Sequence, residues 1–184
     1  MIELPNRRTF LQGAMAAVPL AALPQDAGNQ FAASAVCVKH DEDRFDEHLK
    51  LGGANLFACK VSGRDNAGAL FIFEQTNLRK GGPPRHLHHG QDEWLFVMEG
   101  RFIAEVGKER FALAPGDSLF APRGIPHAFA HVGENTGRLL IGFQPAEQME
   151  RFFHEIAKLG DYPADAAVFR SRDMELVGPP LAIT

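Results

Sequence analysis

Cysteine is nearly absent from this sequence: Cys37 and Cys59 are the only two in 184 residues, which excludes a zinc site built of four thiolates. The pair can bridge in an oxidising compartment or remain as two small buried thiols, and the sequence leaves both open. Charge of one sign is missing as well. Lys plus Arg number 19 against 23 acidic residues, with no long run of either, so there is no electrostatic footprint for nucleic acid. Long apolar runs are also lacking, because the stretch at 13–23 is too short and too rich in alanine to span a bilayer stably. No internal repeat or low-complexity tract is present. What remains is the ordinary composition of one globular domain, 45% hydrophobic and 23% charged, whose partner is expected to be a small molecule.

Eighteen glycines and twelve prolines are spread between short apolar runs, a pattern of many turns and therefore of many short strands. Residues 54–61 and 69–78 read as a hairpin around the turn-rich 62–68. Strands follow at 94–98, 101–106, 109–113, 118–121, 128–132 and 138–144, with Gly107-Lys108 as a two-residue hairpin loop. Strands spaced so evenly predict an all-β sandwich or barrel. One helix is expected over about 146–159, where Met149, Phe152, Phe153, Ile156 and Leu159 share one face and Gly160 supplies a stop. It should pack outside the barrel. Residues 162–173 read as polar and irregular, and Met174 to Pro180 as a short final strand.

At the N-terminus, Asn6-Arg7-Arg8-Thr9-Phe10-Leu11-Gln12 before the modest apolar stretch resembles a twin-arginine export signal. The expected organisation is a signal over 1–35 and a single domain over 36–184, with a barrel core at about 50–145, the helix at about 146–159 and an extension at 160–184. Cleavage is expected at Ala33-Ser34-Ala35, with Gln25-Asp26-Ala27 as an earlier option. The resemblance implies a periplasmic protein with no membrane attachment after signal removal; the alternative is a cytoplasmic protein with an N-terminal arm.

His86 and His88 stand two apart, so on a strand both imidazoles point to one face and can reach a single cation. Glu93 has the wrong parity for an unbroken strand, but the turn-like His89-Gly90-Gln91-Asp92 resets the phase and places Glu93, Leu95 and Val97 inward. A fourth donor, His127, follows Pro122-Arg123-Gly124-Ile125-Pro126. Gly82-Pro83-Pro84-Arg85-His86-Leu87-His88, then Glu93 and Gly100, resembles the first cupin motif, and Gly116, Pro122, Gly124 and His127 resemble the second. Lys80 stands where the opening glycine is usual, and His131 where the second motif usually ends in asparagine. Within cupins, most of residues 50–180 resemble the quercetin-dioxygenase-like single-domain bacterial group, through Asp92-Glu93-Trp94, the Pro122 to Phe129 turn, the helix and the Glu-Leu-Val-Gly-Pro-Pro ending. The resemblance implies a jelly-roll barrel with the metal near one mouth.

Three imidazoles and a carboxylate fill four positions of an octahedral ion and leave two neighbouring ones open, the arrangement of a catalytic site. The expected activity is a metal-dependent oxygenase-like reaction on a small enolic, phenolic or diketone substrate, with Glu93 as general base. The alternatives are a non-catalytic periplasmic binding or sensing cupin and a metal-dependent isomerase or lyase. Phe73, Leu95, Val97, Phe120, Phe129 and His131 are expected to line the pocket, while His40, His48, His89 and His154 are read as surface residues. Trp94 and Phe96 should face away from the metal. Export of a folded chain favours Fe or Mn as the divalent transition metal, with Ni, Co, Cu and Zn possible, and a homodimer is the expected assembly.

Overall fold

The computed structural model describes residues 35–52, 55–146, 148–160 and 165–183. Apart from its last residue, the expected export signal lies outside these. Among the described residues, eleven strands and two helices run in the order β1 (Leu49–Leu51), β2 (Asn55–Val61), β3 (Phe71–Asn77), β4 (Pro84–His88), β5 (Asp92–Glu99), β6 (Phe102–Val106), β7 (Glu109–Leu113), β8 (Ser118–Ala121), β9 (His127–His131), β10 (Gly137–Gln144), α1 (Met149–Leu159), α2 (Ala166–Arg170) and β11 (Met174–Pro180). A 3₁₀ turn at Gly63–Asp65 joins β2 to β3.

The strands form two sheets of the jelly-roll kind, ordered β1-β2-β3-β10-β5-β8 and β11-β4-β9-β6-β7. All the described strand pairs are antiparallel, as is an isolated bridge between Gly81 and His131. The sheets remain two hydrogen-bonded layers and are not joined into one continuous ring. Alternation decides what each strand buries. On β5, Glu93, Leu95 and Val97 face inward, opposite Phe143, Ile141 and Leu139 of β10, whereas Trp94 and Phe96 are only half-buried.

Helix α1 covers the remaining open side of this core. Its buried stripe is Met149, Phe152, Phe153 and Ile156, and Phe153 lies 4.5 Å from Phe73 and 6.0 Å from Phe143 between ring centroids. Leu159, expected on the same stripe, is exposed in the last turn before Gly160 adopts φ 80° and stops the helix. The helix is pinned at its start, where the Glu150 carboxylate accepts from Ser62 Oγ at 2.8 Å and from the Gly63 N–H at 3.2 Å. It is pinned again at its end, where the Gly52 N–H donates to the Gly160 carbonyl at 2.6 Å.

The 162–173 stretch is not uniformly irregular. It contains α2, whose N-cap Asp165 accepts from the Ala167 N–H at 2.7 Å. Five residues are too few to display a helical period, and three are too few for β1 to stand out as a strand. Cys37 is exposed and Cys59 half-buried, and both are free thiols. Burial, followed by the charges of Glu150, Asp43 and Asp65, pushes the Cys59 thiol up to about 12.

Gly82 governs how closely the chain entering β4 can cross β9. The Gly81 N–H donates to the His131 carbonyl at 3.0 Å and the His131 N–H donates back to Gly81 at 2.9 Å. A Cβ at Gly82 would stand 1.8 Å from the Phe129 carbonyl oxygen, which is backbone and cannot swing aside. Gly82→Ala is therefore expected to destabilise the fold by about 3 kcal/mol, the upper end of overpacking costs. The measurement is the midpoint of urea unfolding, and an unchanged midpoint would contradict the close crossing.

Candidate metal centre

Two strands of one sheet and one of the other converge on the site. β4 carries His86 and His88 on its inward face, β9 places His127 directly opposite His86 in register, and β5 supplies Glu93 from the facing sheet. One donor atom from each of the four lies within 4.8 Å of the others. None of the four residues is more than 7% exposed, so their polarity must be satisfied by one another or by a cation.

The hydrogen bonds behind the imidazoles fix which nitrogen looks inward. Nδ1 of His86 donates to the Pro84 carbonyl at 2.8 Å and Nδ1 of His127 donates to the Ile125 carbonyl at 2.9 Å. Nδ1 of His88 donates to Gln91 Oε1 at 3.2 Å, and Gln91 is held in that orientation because its Nε2 donates to the carbonyls of Pro145 and Ala146 at 3.1 and 2.9 Å. With all three Nδ1 atoms engaged, all three Nε2 atoms are left to face the centre. His88 Nε2 stands 3.3 Å from Glu93 Oε2 yet has no hydrogen-bond partner despite complete burial. An orphaned lone pair beside a buried carboxylate and two further imidazoles fits a divalent transition metal.

The electrostatics agree with that fit. Burial, reinforced by the neighbouring His127 and His88, lowers His86 to about 3 and keeps it neutral, as a ligand must be. Glu93 is raised by burial, but His127 and His88 outweigh this and hold the carboxyl well below its ordinary range. His127 is lowered by burial, but Glu93 more than offsets it and the imidazole titrates above its usual value. Without a metal, the site therefore balances one carboxylate against a proton on His127, whose Nε2 lies 3.0 Å from Glu93 Oε2.

Outside the ligands, the Arg123 guanidinium clamps Asp92 through Nε at 3.1 Å and Nη2 at 2.7 Å, and the Arg123 N–H adds a third bond at 2.9 Å. This lowers Asp92 to about 2. It also ties the turn before His127 to the residue before Glu93. A cavity of about 30 Å³ opens beside His86 and Glu93, lined by Phe73, Gln75, Phe129 and Phe143, and roofed by Phe152 and Phe153 of α1 and Phe169 of α2.

The structure separates the expected pocket residues. Phe73 and Phe129 line the cavity, while Leu95 and Val97 are buried in the core and do not reach it. Phe120 requires a correction: it is 56% exposed, because Leu119 and Ala121 take the inward face of β8 and one residue of register reverses every side chain. His131 also stands elsewhere. It shares the inward face of β9 with His127 but lies four residues further on, about 13 Å along the strand, where it packs against Phe102 and donates from Nδ1 to the Arg79 carbonyl. His40, His48 and His89 are exposed and His154 is half-buried. Sequence reasoning missed Gln75, Gln91 and the roof residue Phe169. The quoted Asp92 and Arg123 motifs contained the clamp, but nothing in their spacing joins them.

Residues 75–143 match the family model described as the cupin domain. A 59-residue segment is 41% identical to an uncharacterised protein of Streptomyces coelicolor, covering 32% of this chain and 55% of that one. A 60-residue segment is 30% identical to polyketide synthase CurC of Streptomyces cyaneus, covering 33% of this chain and 39% of that one. The chain thus spans about half or less of the length of these curated relatives. KdgF from Halomonas sp. is similar in structure with a TM-score of 0.48 and 20% identity, over 54% of this chain and 86% of that one. The segment that matches the cupin domain, residues 75–143, contains all four converging donors, and the two-sheet architecture around it is the mostly β jelly-roll of the cupin fold.

Proposed function

We propose that this cupin is a metal-dependent oxygenase-like enzyme, related to the quercetin-dioxygenase-like group, acting on a small enolic, phenolic or diketone substrate. The observation that carries the reading is the buried set of three inward Nε2 atoms and one carboxylate opening onto an apolar cavity. His86, His88, Glu93 and His127 would hold the ion. When bound, a divalent transition metal with four protein donors retains positions for substrate oxygens and supplies Lewis acidity and redox chemistry. Iron or manganese is the proposed metal, acquired before twin-arginine export to the periplasm.

The protein's own groups have separate tasks. Glu93 Oε2 is the acceptor for the proton of a substrate hydroxyl, being the carboxylate oxygen within reach of both His88 and His127. His127 Nδ1 stays fixed on the Ile125 carbonyl, which keeps Nε2 aimed at the ion's position beside Glu93. Phe73, Phe129, Phe152 and Phe169 exclude water and present an apolar wall; the cavity of about 30 Å³ is smaller than such a substrate, which enters as the Phe152, Phe153 and Phe169 side chains give way. The proposed assembly is a homodimer, supported by the apolar outer face where exposed Phe120 pairs in register with Trp94, itself stacked 6.0 Å from Phe96.

Proton balance gives a first test. His127, raised above its ordinary value of 6.5, stabilises the metal-free fold below that value, and the contribution is lost as pH rises through the folded pKa. Glu93, lowered from 4.5, contributes above that value and loses its effect as pH falls through its own depressed pKa. Between those limits His127 carries a proton that a metal must displace. Titration calorimetry in buffers of different ionisation enthalpy should show about one proton released per ion at pH 6, declining towards zero as pH passes the raised His127 pKa. Release that does not vary with pH would contradict the His127–Glu93 pair.

Turnover gives the second test. Oxygen uptake is expected with at least one of acetylacetone, catechol and phenylpyruvate enol, and Glu93→Gln should slow it by about 10²–10⁴-fold with metal content retained. Unchanged uptake would remove Glu93 as the base. Product formed without oxygen uptake would replace the oxygenase reading with an isomerase or lyase.

A further inference from the structure

Gln75 is fully buried on the inward face of β3, between Phe73 and Asn77, and lines the same cavity as His86 and Glu93. Its amide nitrogen is already committed, donating to Asn77 Oδ1 at 2.9 Å, while Asn77 Nδ2 donates onward to Asn55 Oδ1 at 3.0 Å. This ladder of side-chain amides runs across β3 and β2. Gln75 and Asn77 each give an amide N–H to the next side-chain carbonyl, and Gln75 Oε1 is left as a fully buried acceptor with no partner. An unmet acceptor in a mostly apolar cavity costs stability without a ligand, and a donor arriving from the substrate recovers that cost.

Resting on the metal-site reading above, we propose that Gln75 Oε1 is a specificity-determining acceptor for a hydroxyl or N–H of the substrate, away from the end that chelates the metal. The substrate class is thereby narrowed to a flat, apolar molecule with two chelating oxygens and a separate donor. The aromatic walls bind the body through surface burial and discriminate little between similar rings. Discrimination comes from Gln75, because a ligand without the donor leaves a buried oxygen unpaired.

The test uses metal-loaded protein and bidentate hydroxamates as probes: benzohydroxamic acid and its 3-hydroxy, 4-hydroxy and 4-methoxy derivatives. At least one hydroxylated probe should bind about tenfold more tightly than the parent, and the methoxy compound, which has the oxygen but no donor, should show no such gain. In Gln75→Met the preference should collapse to about one while the parent binds as before and metal content is unchanged. Equal binding of all four probes by the wild type, or a preference that survives in Gln75→Met, would overturn the role of Gln75 and leave the metal site standing. Preparations that take up no metal would remove the metal reading and this inference together. Thermal denaturation of the metal-free proteins supplies a readout independent of any ligand. Gln75→Met together with Asn77→Leu, which removes the ladder's inner end, should melt no lower than wild type, and a large drop would mark Gln75 as a structural member only.

Discussion

Burying a carboxylate among imidazoles is the constraint on which this molecule turns. Glu93 sits 3% exposed between two sheets of aromatic and aliphatic side chains, where an unpaired charge costs several kcal/mol. Two partners can hold it: a proton shared with His127, or a cation shared with all three imidazoles. The hydrogen bonds from each Nδ1 to Pro84, Gln91 and Ile125 prepare the second solution in advance, since they leave three Nε2 atoms facing one point. The site is therefore organised before any ion arrives, and the protein environment fixes the direction of each donor.

Rigid strands carry the donors, and the surrounding contacts explain why they stay in place. His86 and His127 are cross-strand partners, so their separation is set by the ladder itself. Glu93 comes from the opposite sheet, and its position relative to His127 is tied by the Asp92–Arg123 clamp, which fastens the turn before β9 to the first residue of β5. Gln91 extends the same control to the chain between β10 and α1. Because α1 is fastened to the 3₁₀ turn through Glu150, the aromatic roof over the cavity and the metal ligands belong to one connected framework.

The ligands were legible in the sequence because strand parity and fixed spacing carry them: two histidines two apart, a turn that resets the phase before Glu93, and a proline-glycine turn before His127. Most strand limits were legible for the same reason. Phe120 was not, since a four-residue strand bounded by turns offers no internal evidence of which parity faces inward. His131 shares the face of His127, and only the length of β9 reveals how far it lies from the metal. Gln75 and Gln91 could not be assigned from local pattern at all. The carbonyls that orient Gln91 toward His88 are 54 and 55 positions away, and the importance of Gln75 lies in an oxygen that lacks a partner.

The central claim is that four buried donors form one metal site, and the most direct measurement is elemental analysis of anaerobically purified wild type beside a His86→Ala, His88→Ala variant. The account predicts close to one equivalent of a divalent transition metal in the wild type and its loss in the variant, with far-ultraviolet circular dichroism of the β fold retained. A wild type that stays free of metal after incubation with iron, manganese and nickel, or a variant that retains its metal, would contradict it.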